Sequence, residues 1–183
     1  MLSTLRNAWK VPELRKRFLW TIFLVAIFRI GIHIPVPGID TSYLSSMTNS
    51  GGLLGFYNLI SGGALSKFSI FALSVSPYIN ASIIMQLLTI AIPSLEQLSK
   101  EGEEGRKKIQ SITRYASIAI GFVLAIGIYS MIAAQGAATG LGAAQKAVVL
   151  ISLVVGSTFC MWLGDQITQK GFGNGVSILI FVN

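Results

Sequence analysis

The chain has 183 residues, 52% of them hydrophobic and only 11% charged, and 14 basic residues against 7 acidic ones give a formal charge of +7. A soluble domain carries about 25% charged residues, so this chain lacks the charge to cover a water-facing surface, and its long apolar runs point to a bilayer. The basic excess does not indicate specific nucleic-acid recognition, because the lysines and arginines gather in two clusters between apolar runs, as they do where membrane chains fix their orientation.

Residues 1–17 form a short basic stretch, with Arg6, Lys10, Arg15, Lys16 and Arg17 against Glu13. It reads as an amphipathic helix at the membrane surface, with Trp9, Leu14 and Phe18 toward lipid. Residues 18–34 are the first expected span, with Trp20 near its cytoplasmic end, and no cleavage pattern of small residues follows it. Arg29 lies inside this run, and two readings stand: it snorkels to the outer interface, or it faces a watery interior.

Residues 35–67 leave the membrane. Pro35 and Pro37 stop the helix, and Gly38-Ile39-Asp40 continues the turn. The apolar patch Leu53 to Ile60 follows, between Gly51-Gly52 and Gly62-Gly63. It is too short to span. It is either a short interfacial helix or a re-entrant element packed inside the protein.

Residues 68–92 are the second expected span, and Ser74, Ser76, Pro77, Asn80, Ser82 and Gln86 lie within it. Helical periodicity puts Val75, Ile79 and Gln86 on one face and Ser76 and Asn80 on the next. These polar groups either bond other helices or line a pathway, and Pro77 predicts an irregular or broken helix. Residues 93–114 read as a polar loop, in which Ser94 and Gln97 have capping-box spacing.

Residues 115–135 are the third expected span, 136–146 a small-residue turn and 147–164 the fourth span. The only cysteine, Cys160, sits inside that fourth run as a small buried hydrophobe. Residues 165–175 form a polar turn with Gly171, Gly173 and Gly175. Residues 176–183 begin a fifth apolar run, too short to cross alone: either the segment is re-entrant, or, the reading preferred here, the natural chain continues beyond Asn183.

Residues 1–17 and 93–114 each hold five lysines or arginines, whereas 35–69, 136–146 and 165–175 hold one each. This alternation places the N-terminus in the cytoplasm. Catalytic signatures are missing: His33 has no ligand partner nearby in sequence, and there is neither G-x-S-x-G nor a phosphate-binding G-x-x-x-x-G-K-[ST]. The expectation is a chain that is not an enzyme and binds no cofactor. A small-molecule transporter would carry a charged site at mid-membrane, and apart from Arg29 the spans have none. A purely structural subunit would not need the polar second span.

Several stretches, in order, resemble the SecY family of protein-translocase channel subunits. They are Phe28 to Gly38, Ser61-Gly62-Gly63-Ala64-Leu65-Ser66, Ser76 to Ile84, Lys100-Glu101-Gly102-Glu103 with Gly105-Arg106-Lys107-Lys108, and Thr113-Arg114-Tyr115. Met161 to Thr168, running into Gly173-Asn174-Gly175, completes the set. The resemblance covers nearly the whole chain but only the first half of the family, whose members have ten spans in two inverted halves. It implies an all-α polytopic membrane helix bundle, the N-terminal half of a channel that translocates unfolded secretory polypeptides and releases membrane segments laterally into lipid.

The resemblance further assigns roles. Leu53, Leu54, Gly55, Phe56, Tyr57, Asn58, Leu59, Ile60, Ser61, Gly62, Gly63, Ala64, Leu65 and Ser66 correspond to the plug that closes the resting channel. Val75 and Ile79 match one part of the apolar pore ring, and Val176 and Ile180 another. Two of these four are valine where the family usually has isoleucine, which implies a slightly wider ring. Asn80 and Gln86 fall on the lateral gate. The implied partners are SecE-like and SecG-like small membrane subunits, a SecA motor and/or the ribosome, signal sequences, translocating polypeptides and membrane lipid. The implied location is the cell (plasma) membrane.

Overall fold

The computed structural model describes residues 11–37, 39, 55–56, 58–59, 61–134 and 142–182. Among these residues six helices are defined: α1 (Pro12–Gly31), α2 (Ser76–Ala91), α3 (Pro93–Lys100), α4 (Glu103–Ala134), α5 (Ala143–Lys170) and α6 (Gly175–Val182). Among the described residues there is no strand, only one isolated antiparallel bridge between Pro35 and Ser69. Helices α4 and α5 are each long and apolar enough to cross a membrane, and α2 with α3 passes the same test as a bent pair.

The bend has a local cause. Pro93 disfavours helical backbone at the residue before it, and Ile92 is extended at φ −109, ψ 113. α2 stops there, and α3 leaves at 101°. Leu95 and Leu98 are half-buried while Ser94, Glu96 and Gln97 are exposed, so α3 is amphipathic. The capping box expected from Ser94 and Gln97 does not form: Ile92 is the N-cap, no side chain caps this end, and Ser94 lies inside the helix. Lys100 meets Glu96 at 2.6 Å on the exposed side.

The stretch read as a polar loop is therefore largely helical. Glu, Lys, Arg and Gln are good helix formers, so α4 starts at Glu103, well before the apolar run begins at Tyr115. Gly102, at φ +79, makes the turn between α3 and α4.

The beginning of the second expected span is not helical. Residues 61–75 run as successive turns, and α2 begins only at Ser76, with Pro77 in its first turn. A proline suits a first turn and obstructs a helix arriving from before it. Phe68 (φ 42) and Ser74 (φ 48) adopt the left-handed region, uncommon for residues with a side chain. The turns are buried: Ala64, Leu65, Phe68, Phe71, Ala72, Leu73 and Val75 all belong to the core. Their backbone is satisfied locally and by residues 34–36, with Val36 N–H donating to Phe68 O (2.9 Å) and Ile70 N–H to Ile34 O (3.0 Å).

This non-helical segment is the hub of the molecule. On one side Phe68, Ala72 and Leu73 pack with Ala125, Ile132, Val149 and Leu153 of α4 and α5. On the other, Phe71 and Val75 pack with Leu24, Phe28 and Ile32 around α1, with Cys160, Leu163 and Ile167 of α5, and with Leu179 of α6. Phe28, Phe71, Phe159 and Trp162 form a continuous stack with centroid separations of 5.6–5.9 Å.

Candidate functional site

Two segments distant in sequence meet beside this hub. α2 contributes Tyr78, Ile79, Ser82 and Gln86, and the α5–α6 corner contributes Asp165, Thr168, Asn174, Val176, Ser177 and Ile180. Together with Gln110 of α4 they line a cavity of about 370 Å³. Its wall is divided by chemistry. Ile79, Val176 and Ile180, with Ile83, make an apolar strip, while Ser82, Gln86, Gln110, Asp165, Asn174 and Ser177 supply hydrogen-bonding groups.

The corner is built so that α6 starts in a fixed place. Asn174 Oδ1 accepts from the backbone N–H groups of Val176 (3.1 Å) and Ser177 (3.2 Å), which would otherwise lack helical partners. Thr168 Oγ donates to Gly164 O (2.9 Å) and accepts from Gly175 N–H (2.8 Å). A Cβ on Gly175 would lie 2.0 Å from Gly164 O, so only glycine lets the two helices approach this closely. Val176 and Ile180, one turn apart, then point along one face.

Of the four residues expected in an apolar ring, the structure brings three to this cavity. Val75 does not line it: at 2% exposed it lies behind, in the core cluster that Ile79 and Val176 pack against. Asn80 is exposed and off the cavity, whereas Gln86 is exposed on its rim and reaches Ser82 Oγ at 3.5 Å.

Of the expected plug, Leu53, Leu54, Tyr57 and Ile60 lie outside the described residues. Phe56 and Leu59 are large apolar side chains, 64% and 76% exposed. Ser61 is buried, Gly62 and Gly63 turn at positive φ, and Ala64 and Leu65 enter the core. Asn58 secures that turn: its Oδ1 accepts from Ser66 N–H (2.9 Å), and its carbonyl accepts from Ser61 Oγ (3.1 Å) and Gly63 N–H (2.9 Å).

A polar cluster without an assigned role borders the cavity. Arg114 of α4 meets Asp165 of α5 at 2.7 Å, and Gln110 Nε2 donates to the same carboxylate at 3.3 Å. Arg114 and Asp165 stand in the sequence as charges flanking apolar runs, inside two of the stretches that carry the resemblance; their pairing depends on helix register.

Comparisons with known proteins bear on the family and the fold. The SecY family model matches residues 69–183. The protein translocase subunit SecY of Pseudomonas aeruginosa is 47% identical over 182 residues, covering 98% of this chain and 41% of the relative. That of Thermotoga maritima is 43% identical over 192 residues, covering 99% of this chain and 44% of the relative. The chain thus spans about two fifths of the length of these curated relatives. The solved structure of Sec61 in the canine ribosome-channel complex from the endoplasmic reticulum superposes on 97% of this chain and 40% of that chain, with a TM-score of 0.64 at 21% identity. A solved protein-conducting channel gives the same TM-score and identity, which establishes the fold. By the family match across most of its length and this helical architecture, the chain belongs to the SecY family.

Proposed function

We propose that this chain forms the N-terminal part of a protein-conducting channel for unfolded secretory polypeptides, with lateral release of membrane segments into lipid. The observation that carries the reading is the convergence of Ile79 with Val176 and Ile180 on one cavity wall. An apolar constriction excludes water and ions by dewetting, and it contacts any passing side chain weakly and without preference. In this reading Val75 stands behind the ring and supports it. The polar wall that carries Gln86, Gln110 and Asp165 is the vestibule on the approach side.

The plug is residues 53–66, held by the Asn58 turn. The surface of α2 that carries Asn80 and Gln86 is one side of the lateral gate; seams of polar groups separate readily when water replaces the partner. The basic clusters at 1–17 and 93–114 face the cytoplasm, and the membrane is the plasma membrane. Small SecE-like and SecG-like subunits, and a SecA motor or the ribosome, complete the machine.

The test uses the full-length protein in native membranes. A secretory chain arrested in transit is expected to crosslink to photoreactive groups at positions 79, 176 and 180. An engaged complex with no crosslink at any of the three would overturn the reading.

A further inference from the structure

α1 reaches across the fold to the corner from which α6 starts. Thr21, 9% exposed, lies on the face of α1 that packs on α5. Its Oγ donates to Arg17 O (2.9 Å) and accepts from Phe172 N–H (3.1 Å), a residue 151 positions away. With the hydroxyl proton engaged within α1, the oxygen lone pairs face the corner.

The corner is shaped to receive that hydroxyl. A Cβ on Gly171 would stand 2.5 Å from Thr21 Oγ and 2.7 Å from Ile167 O. Gly171 is buried, and its N–H closes α5 on Ile167 O at 2.8 Å. Four residues after Phe172 comes Val176. Between them Gly173 turns at φ +70, Gly175 N–H is held on Thr168 of α5 and Asn174 caps the first turn of α6, so the start of α6 has two anchors, α5 directly and α1 through Phe172.

We propose that Thr21 is a positioning residue for the pore-facing segment: its contact with Phe172 sets the rotation of α6 and hence which side chains of 176–180 meet the translocating chain. This rests on the channel reading. It gives α1 a task in setting the constriction although α1 contributes no residue to the cavity wall.

The experiment compares crosslinking of an arrested secretory chain at position 176 with that at position 177, in the full-length protein assembled in native membranes. A purely structural loss lowers both yields together; a rotation of α6 changes their ratio. Thr21→Val keeps the shape and removes the hydroxyl, and it is expected to lower the 176:177 ratio by about fivefold, the weight of one ordinary hydrogen bond. Thr21→Ser is expected to keep the wild-type ratio. Gly171→Ala, which pushes the corner off an intact Thr21, is expected to reproduce the Thr21→Val ratio, and it carries the test if Thr21→Val does not accumulate. An unchanged ratio in Thr21→Val or Gly171→Ala, or an equal change in Thr21→Ser, overturns the inference. Absence of wild-type crosslinks at 79, 176 and 180 would instead overturn the channel reading.

Discussion

Arg114 and Asp165 meet at 2.7 Å at one end of an antiparallel ladder between α4 and α5. Further along, Ser117 Oγ contacts Met161 Sδ at 3.3 Å, and a Cβ on Gly121 would lie 3.5 Å from Ser157 Oγ. Steps of three and four residues along α4 are matched by steps of four back along α5, so the ion pair stands in register with the packed ladder of two helices long and apolar enough to cross a membrane. Asp165 is 9% exposed and Arg114 38% exposed at their side chains, a pair partly shielded from water.

Removing one partner leaves the other charge uncompensated. Asp165→Asn is expected to destabilise the full-length protein by about 1–3 kcal/mol, between the values for exposed and buried pairs. The Arg114→Gln/Asp165→Asn double variant should recover much of the loss. Thermal unfolding midpoints in detergent measure both, and a single variant as stable as wild type would show that the pair does not hold the register.

Gly156 tests the hub from the other side. A Cβ there would lie 1.8 Å from the carbonyl oxygen of Ile70, a backbone atom in the buried turns. Gly156→Ala forces the turns and α5 apart, an overpacking cost of about 1–3 kcal/mol. Gly127 lies on the exposed face of α4 with nothing within 4 Å of an added Cβ. Gly127→Ala should therefore be neutral or stabilising by up to about 1 kcal/mol in a helix interior. Equal effects of the two substitutions on the unfolding midpoint would contradict the packing argument.

The apolar runs and the punctuation by proline and glycine made much of this architecture legible. Pro77 marked an irregularity in the second expected span, which the structure shows to be the start of α2, whereas the bend that Pro93 makes into α3 lies where a polar loop was expected. The hub was not legible. Residues 68–75 are as apolar as a helix, and only their tertiary burial, with backbone bonds to residues 34–36, holds them in turns. For the same reason Val75 was grouped with Ile79 by helical spacing, yet it sits at the N-cap of α2 and faces the core. The polar start of α4 read as a loop because hydropathy detects lipid contact rather than helix. The Arg114–Asp165 pair and the Thr21–Phe172 bond require the relative register of packed helices, which no local pattern encodes.

Asn58 is the fastening of the glycine turn. Asn58→Ala removes the acceptor for Ser66 N–H and leaves intact the bonds that Gly63 N–H and Ser61 Oγ donate to the residue-58 carbonyl. A loss of about 0.5–1.5 kcal/mol is expected for one hydrogen bond, applied to the turn rather than to the whole fold. The variant should keep its unfolding midpoint while amide hydrogens at 63–66 exchange faster. Unchanged exchange there would show that the buried Ala64 and Leu65 hold the turn without help.

The apolar strip of the cavity makes the most direct functional prediction. Ile79 comes from α2 and Val176 and Ile180 from α6, so a polar group at any of the three faces the other two across the same space. Water is excluded only while every wall of a narrow constriction is apolar. Ile79→Asn supplies a donor and an acceptor at that wall, next to Ser82, one helical turn away on the polar side. A continuous hydrogen-bonded path then links vestibule and constriction. In planar bilayers the full-length assembled Ile79→Asn channel should conduct ions in the resting state where wild type is silent, and Ile79→Leu should stay silent. Val75→Asn has a different expected outcome: Val75 is buried behind the strip, so an amide there lacks a partner and lowers stability by about 1–3 kcal/mol. Leak from the position-75 variant with no loss of stability, or a silent position-79 variant, would mean that the seal is formed by residues other than this strip.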